Sequence, residues 1–157
     1  MTRHRKACTT SRALPTQHVI DLENLVAGRV SYSRTAEFFQ RYRALVPIGP
    51  ADDVVVGLSP STAPEAAFAL PERTRLRVGR WGRDSADQAL LDAIDPDFTA
   101  AHFSRVVLCS GDHCFAPLVS ALRAHKLDVV VVFVPLSISA KLYTTASDSL
   151  RFPALAA

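Results

Sequence analysis

Residues 105–112 have the sequence Arg-Val-Val-Leu-Cys-Ser-Gly-Asp, an apolar run that ends at Asp112. A continuous apolar run is typical of a strand that is buried on both faces of a parallel sheet. Residues 18–21, His-Val-Ile-Asp, repeat the pattern and end at Asp21. Because ligands of such sheets bind beyond the carboxyl ends of the strands, the two aspartates are predicted to lie together at a ligand site.

The rest of the chain alternates between strand-like and helix-like segments. Strands are predicted at residues 17–22, 53–58, 75–79, 104–110 and 127–134, and helices at 33–46, 62–70, 84–94, 115–122 and 139–148. The clearest helix carries apolar residues at the spacing i, i+3, i+4, i+7. Strands separated by helices imply right-handed crossovers and a parallel sheet that is covered on both faces. The predicted fold class is therefore α/β, a three-layer α/β/α sandwich around a mainly parallel sheet.

Length and composition indicate one globular domain. The 157 residues are 48% hydrophobic and 21% charged, which suffices for one sizeable core. No apolar stretch approaches the roughly 20 residues that cross a bilayer, and the basic N-terminus lacks the apolar segment of a secretory signal. The three cysteines form neither a disulfide framework nor a CxxC zinc pattern. A cytoplasmic location, which is reducing, is therefore expected.

The net charge of +3 is concentrated at the start of the chain. Four basic residues and no acid occur there: Arg3, Arg5, Lys6 and Arg12. Residues 1–14 are predicted to form a basic, disordered tail, and residues 15–157 a single domain. The tail could bind nucleic acid through counterion release, although a solvated end without a function is the simpler explanation.

Four aspartates stand at element ends that are predicted to meet one edge of the sheet: Asp21, Asp87, Asp112 and Asp148. Asp87 shares the inward face of its helix with Leu90 and Leu91. The helix dipole favours an acid in the first turn, but an inward-facing acid costs desolvation free energy unless a cation or donor meets it. Since carboxylates held close together raise one another's pKa, the cluster predicts a site for a divalent cation.

Several common sites are missing from the sequence. It has no GxxxxGK[ST] loop and no GxGxxG after a strand, which argues against a P-loop enzyme and against a dinucleotide-binding dehydrogenase. It also lacks a nucleophile elbow. His113 follows Asp112, but a histidine that opens a helix is usually a surface or capping residue.

A basic segment surrounds the single tryptophan. Arg77, Arg80 and Arg83 flank Trp81, and we predict that these four residues bind single-stranded nucleic acid, which the family resemblance given below implies is RNA. Arginine forks suit phosphates, and an indole can stack on an unpaired base. The alternative is an exposed strand edge whose Trp81 fills the core.

Four segments together resemble the NYN domains, a group of PIN-like ribonucleases. Residues 19–25, Val-Ile-Asp-Leu-Glu-Asn-Leu, are similar to the family's opening strand, which ends in Asp with Asn three residues later. Residues 86–91 resemble its second motif, an Asp that starts a helix. Residues 109–118 resemble its SGDxDF stretch, which a proline and a leucine follow, and residues 139–148 its closing S-x-x-L…D element. The motifs occur in the family's order between residues 17 and 148.

The resemblance implies a PIN-like fold with strand order 3-2-1-4-5 and metal-dependent hydrolysis of RNA phosphodiester bonds. Asp21, Asp87 and Asp112 would be the catalytic residues, holding Mg²⁺ or Mn²⁺ and orienting a water, with Asp148 as an outer metal ligand. Three further residues would support the site: Asn24, Ser110 and Ser139. RNA is the implied partner, and no membrane is involved. Many PIN-like domains dimerise, so the resemblance allows a homodimer, and the sequence leaves the oligomeric state open.

The chain departs from the family pattern at Cys114, which replaces the second aspartate of SGDxDF. If that acid completes the metal site, the alternative function is a catalytically weakened module that binds RNA or a protein without cleaving. Asp148 could compensate. Glu23 is expected on the side opposite Asp21 if the strand continues, so it is assigned no metal role. A third alternative is a phosphatase of another Rossmann-like group, which usually has an Asp where Glu23 stands.

Overall fold

The core of the fold is a six-stranded parallel sheet. The computed structural model describes residues 14–26 and 28–155, and its strands are Thr16–Asp21 (β1), Asp53–Leu58 (β2), Arg75–Val78 (β3), Arg105–Cys109 (β4), Asp128–Phe133 (β5) and Asp148–Arg151 (β6). The order across the sheet is β3-β2-β1-β4-β5-β6, and every neighbouring pair is parallel. The predicted α/β class and the order 3-2-1-4-5 are confirmed, and β6 extends the sheet beyond β5. The basic tail predicted at residues 1–14 falls almost wholly outside the described residues.

Seven α-helices lie in the described part of the chain. They are Leu22–Leu25 (α1), Tyr32–Leu45 (α2), Ala63–Ala66 (α3), Ser85–Ala93 (α4), Pro96–His102 (α5), Ala116–Ala124 (α6) and Ala140–Thr145 (α7). The sequence did not predict α1 or α5. In α5 the proline occupies the first turn, where its missing N–H costs nothing, and Asp95 caps the helix by accepting hydrogen bonds from the N–H groups of Asp97 and Phe98 at 2.9 and 3.2 Å.

The sheet separates two apolar layers. Alternate strand residues point to opposite faces, so Ile20 joins the layer under α2 while Val19 joins the layer under α4 and α6. On the α2 side, the rings of Phe38 and Tyr42 stack with centroids 5.6 Å apart, and Phe152 lies 5.0 Å from Phe38. Full burial of such side chains contributes roughly 1.5–3 kcal/mol each to folding. These layers fix the helices against the strand ends.

The direction in which strands are added reverses between β1 and β4. The chain places β2 and β3 on one side of β1, then crosses over and places β4, β5 and β6 on the other side. Ile20 pairs with Cys109, so the segments that follow these two residues leave the sheet side by side. In open α/β sheets the crevice at such a switch point is the usual ligand site.

A glycine in β2 allows α4 to approach this crevice. A Cβ atom at Gly57 would lie 2.5 Å from Leu90 Cγ and 2.8 Å from the carbonyl oxygen of Ala86. Any larger residue would push α4 away from the sheet. Gly57 therefore helps to determine how close the first turn of α4, which contains Asp87, comes to the ends of β1 and β4.

Two predicted helices differ in extent from the observed ones. The helix predicted at residues 62–70 is the short α3 followed by a 3₁₀ turn, Ala67–Ala69. The helix predicted to run to Asp148 ends at Thr145, and Asp148 begins β6 instead. Within residues 14–26 and 28–155, none of the helices has the length and apolar character required to span a bilayer.

Candidate metal centre

Asp21 is the buried acid of the site. It ends β1 and caps α1, and it is 2% exposed. The backbone N–H of Asn24 donates to its Oδ1 at 3.3 Å, and the Ser110 hydroxyl donates to its Oδ2 at 3.0 Å. Both carboxylate oxygens are therefore held in one orientation at the switch point.

The segment after β4 links the acids to one another. The Ser110 hydroxyl, which donates to Asp21, also accepts a hydrogen bond from the N–H of Asp112 at 3.2 Å. The Asn24 side chain accepts from the N–H of Gly111 at 2.9 Å. The N–H of Cys114 donates to Asp112 Oδ1 at 2.8 Å. Asn24 and Ser110 thus hold the two acidic segments together.

Ser139 supports the same segment from the other side. Its N–H donates to the Gly111 carbonyl at 2.9 Å, and its hydroxyl accepts from the N–H of Leu142, which caps α7. A Cβ atom at Gly111 would lie 2.2 Å from the carbonyl oxygen of Ser137. Only glycine fits so close an approach, so Gly111 lets the segments after β4 and β5 pack directly on each other.

Asp87 lies in the first turn of α4 and is half-buried. Burial, followed by the charge of Asp87, raises the pKa of Asp21 well above its ordinary value. The pKa of Asp87 is also raised, chiefly by burial, with a contribution from Asp112. A hydrogen bond with Asp21 opposes that rise. Such shifts arise when carboxylates share a site without a counter-charge.

The described ion pairs of arginine side chains go to other acids: Glu65, Glu37, Asp53 and Asp128. Beside Asp112, the Nδ1 atom of the neighbouring His113 ring lies 3.1 Å from the Asp112 Oδ1 atom. None of these four ion pairs brings an arginine to Asp21, Asp87 or Asp112.

The three acids line one open cavity of about 420 Å³. Glu23 lines it too, because the condition under which it was expected opposite Asp21, a strand that continues past Asp21, is not met. The chain turns into α1 directly after Asp21 and does not continue as a strand. Burial raises the pKa of Glu23, but hydrogen bonds from Thr62 and Ser59 outweigh that effect and lower it. The Ser59 N–H and the Thr62 hydroxyl both donate hydrogen bonds to the Glu23 Oε1 atom. Glu23 therefore lines the cavity with a negative charge whose position these bonds fix.

The donor atoms fit a divalent cation. One carboxylate oxygen of Asp87, one of Asp112 and the Cys114 sulfur all lie within 4.8 Å of one another. Asp21 is not one of these three donors, but its carboxyl interacts with that of Asp87, whose charge helps to raise the pKa of Asp21. Ser85, which lines the cavity and is 8% exposed, has a buried hydroxyl without a hydrogen-bond partner among the described residues. Carboxylate oxygens are the ligands that Mg²⁺ and Mn²⁺ prefer.

The structure does not place Asp148 with the other acids, so its predicted position at their edge is wrong. It pairs with Val130 at the start of β6, toward the amino side of the sheet, and it is exposed. Its Oδ1 accepts a hydrogen bond from the N–H of Ser149 at 2.8 Å. The prediction failed because the residues after Ser147 form a sixth strand rather than the end of a helix.

The basic segment forms an exposed surface beside the acids. Arg77, Arg80 and Arg83 are exposed, and Trp81 is 82% exposed, which excludes the alternative in which Trp81 fills the core. Arg80, Trp81 and Arg83 line a second cavity of about 440 Å³. Arg83 also lines the acidic cavity. We call these four residues the basic ridge.

A family model, the NYN domain, matches residues 17–152. The chain belongs to the NYN domain family. The match covers all four motif segments and supports a nuclease-like fold for the domain. No curated protein sequence matches this chain.

One solved structure similar to this NYN domain is that of VPA0982, a protein of unknown function from Vibrio parahaemolyticus. The two are 18% identical and superpose with a TM-score of 0.58, over 90% of this chain and 94% of that one. The likeness shows that the whole domain fold is shared.

Proposed function

We propose that this NYN domain is a metal-dependent endoribonuclease that hydrolyses RNA phosphodiester bonds at Asp21, Asp87 and Asp112. The observation that carries the proposal is the convergence of the three carboxylates on one open cavity at the switch point, where none of the four arginine ion pairs given for the described residues involves them. Structural acids are normally neutralised by the fold itself. An uncompensated cluster in an open cavity is a reason to infer a ligand that brings positive charge.

The chain's own residues would hold and orient the reaction. Asp87 and Asp112 would hold the cation. Asp21, whose carboxylate Ser110 and Asn24 keep in one orientation by hydrogen bonds, would add negative charge beside it. When bound, Mg²⁺ or Mn²⁺ supplies a Lewis acid that stabilises charge on the phosphate and activates a water. Arg83, at the border of the acidic cavity, would position a neighbouring phosphate.

The basic ridge would bind single-stranded RNA next to the acids. Base stacking on an exposed aromatic ring contributes about 1–3 kcal/mol per base, and Trp81 offers such a ring. Arginine contacts to phosphates make binding strongly salt-dependent. Trp81→Ala should therefore weaken RNA binding without changing its salt dependence, whereas Arg80→Ala should reduce that dependence.

The remaining expectations complete the proposal. Cys109 and Cys114 are free thiols, which suits a reducing compartment, and we place the enzyme in the cytoplasm. Residues 15–157 form the proposed catalytic domain. A homodimer is also proposed, and sedimentation velocity would detect it.

Cleavage of a labelled RNA by the purified protein tests the proposal. We expect cleavage with Mn²⁺ or Mg²⁺, none with EDTA, and none by Asp112→Asn with its fold retained by circular dichroism. Asp148→Asn is the matched control, since it removes the same charge from an exposed strand start, and it should cleave normally. Cleavage that survives in EDTA, or in Asp112→Asn, would overturn the proposal.

Cys114 favours a second function, a module that binds RNA without cleaving it. Its neutral thiol lies with Asp87 and Asp112 among the possible metal donors, at the position where the family motif has an acid. Burial and the charge of Asp87 raise the thiol's pKa, so it adds no negative charge to the metal-free site. RNA binding that depends on the basic ridge, without cleavage under any divalent ion, would establish this function instead.

A further inference from the structure

Cys114 is one of the three residues whose donor atoms lie close enough together to hold one metal ion, with Asp87 and Asp112. It follows Asp112 in the 3₁₀ turn His113–Phe115, whose start Asp112 caps. The turn brings the Cys114 sulfur within 4.8 Å of the carboxylate oxygens of both Asp87 and Asp112. An ion bound to sulfur at about 2.3 Å and to oxygen at about 2.0–2.2 Å joins donors up to about 4.5 Å apart. Small side-chain rotations would therefore let one ion contact all three atoms.

The wall behind the sulfur restricts where it can turn. Cys114 is partly buried against the apolar layer under α4 and α6, and it lines a cavity of about 260 Å³ with Asp87, Leu91 and Asp112. Cys109, by contrast, is fully buried in β4. Of the two cysteines that the structure describes, only Cys114 can reach an ion at the acids.

A second observation points to a ligand beside Asp87 and Asp112, which line both the acidic cavity that contains Ser85 and the adjoining cavity that contains Cys114. The Ser85 hydroxyl is buried and has no hydrogen-bond partner in the part of the chain that the structure describes, although Ser85 belongs to the wall of the acidic cavity. A buried polar group without a partner costs about 1–3 kcal/mol. An ion with its bound water would give this hydroxyl a partner.

We propose that Cys114 is a sulfur ligand and that the site therefore selects a thiophilic divalent cation, of the Zn²⁺ or Co²⁺ class, over Mg²⁺. Thiolate sulfur favours such ions, whereas an all-carboxylate site favours Mg²⁺ or Mn²⁺. On binding, the S–H bond breaks, a sulfur–metal bond forms, and the proton leaves to solvent. The inference rests on the proposed function only in requiring a cation at Asp87 and Asp112; it does not require cleavage.

Titration of the full chain with Co²⁺, followed by absorption, tests the inference. We compare the wild type, Cys8→Ser as the control for a thiol outside the described residues, and Cys114→Ser. The wild type and Cys8→Ser should show a thiolate-to-cobalt charge-transfer band, which Zn²⁺ removes and excess Mg²⁺ does not. Cys114→Ser should lose the band and bind Zn²⁺ at least about 100-fold more weakly, because even the loss of outer-shell partners costs 10- to 100-fold.

Cys114→Asp provides the opposite change. Restoring the family's acid should abolish the charge-transfer band and raise the affinity for Mg²⁺ relative to Zn²⁺, as measured by calorimetry. Circular dichroism of each variant shows that it is folded, and Cys114→Ala replaces Cys114→Ser if the latter is not.

Two results would overturn the inference, and they are distinguishable. Cobalt d–d bands without a charge-transfer band mean that the carboxylates bind the ion alone, which removes Cys114 as a ligand and leaves the proposed function standing. No binding of Co²⁺, Zn²⁺ or Mn²⁺ by the wild type would remove both the sulfur ligand and the metal-dependent function.

Discussion

Acids at the two edges of the sheet differ in their hydrogen-bond and ion-pair partners. At the amino edge, Asp52 accepts hydrogen bonds from the N–H groups of Thr16 at 2.9 Å and Gly49 at 2.7 Å, with the buried His18 ring 3.4 Å away. Asp53, beside it, accepts from Gln17 at 2.9 Å and from Arg75 Nε at 2.8 Å. At the carboxyl edge, the carboxyls of Asp21 and Asp87 interact with each other, and none of the four arginine ion pairs given above for the described residues involves them.

The pKa values follow this difference. Burial raises the pKa of Asp52 and Asp53, but their donors outweigh it and hold both values below the ordinary 3.8. At Asp21 and Asp87 burial and neighbouring acids raise the pKa instead. The amino-edge acids therefore stabilise the fold, whereas the ionised forms of Asp21 and Asp87 destabilise it at neutral pH. Under the proposed function, a bound cation would remove this destabilisation.

The largest expected difference between the edges is in catalysis. Asp21→Asn should reduce RNA cleavage at saturating Mn²⁺ at least about 100-fold, because losing a single preorganised electrostatic group commonly costs 10²–10³ in rate. Asp53→Asn removes the same charge at the amino edge and should leave the rate of the folded protein unchanged. Equal loss of cleavage in both variants would remove the distinction between the two edges.

The second difference is in the response to a cation. Mn²⁺ at about 100 times its dissociation constant should increase the free energy of unfolding of the wild type by about 2.7 kcal/mol. Asp53→Asn should keep this gain and Asp87→Asn should lose most of it. Thermal unfolding with and without Mn²⁺ measures both, and stabilisation that persists in Asp87→Asn would place the ion elsewhere.

The third difference is in the stability of the metal-free protein. Asp53→Asn should lower the free energy of unfolding by about 1–3 kcal/mol, since it leaves the partners of a part-buried acid incompletely satisfied. Asp87→Asn should raise the free energy of unfolding, because it removes a charge that repels Asp21 and Asp112. Urea unfolding in EDTA compares them, and a loss in both variants would contradict the account.

The smallest difference is in the pH dependence of that stability. The folded-state pKa values of Asp21 and Asp87 lie above 3.8. Folding therefore favours their protonated forms, and this contribution to the free energy of unfolding is present below about pH 4 and is lost as pH rises through the folded-state values. Asp52 and Asp53 have the opposite sign, so their contribution is lost as pH falls below about 4. Urea titrations at a series of pH values give the free energy of unfolding as a function of pH. Asp87→Asn should weaken its decrease above about pH 4, and Asp53→Asn should weaken its decrease below about pH 4. Parallel curves for all three proteins would refute this assignment.

Sequence patterns predicted that Asp21, Asp87 and Asp112 lie at one edge of the sheet, and all three line one cavity there. Asp21 and Asp112 end continuous apolar runs, so the topology alone brings their segments together. Asp87 followed from the apolar face of its helix. The tertiary contacts that decide the edges of the site have no such periodicity: Glu23 reaches the cavity because the chain turns at Asp21, and Asp148 is removed from it because β6 begins there.

The basic ridge shows another limit of sequence patterns. The sequence alone allows a tryptophan among arginines to be buried in the core or exposed at the surface. In the structure Trp81 follows β3, which lies at the edge of the sheet, and its ring is exposed. α5 was missed for a related reason, because Asp95 and Pro96 signal a loop and a helix start equally well. The family motifs indicated the order of the strands, but the sixth strand lay beyond the strand order that they implied.

A crystal soaked in Mn²⁺ tests the central claim most directly. Anomalous scattering locates manganese without reference to any assumed role. We predict one strong peak within bonding distance of Asp87 and Asp112 and adjacent to Asp21, with none at Asp52 or Asp53. A well-ordered crystal with no peak among the carboxyl-edge acids, or with manganese at the amino edge, would contradict the account.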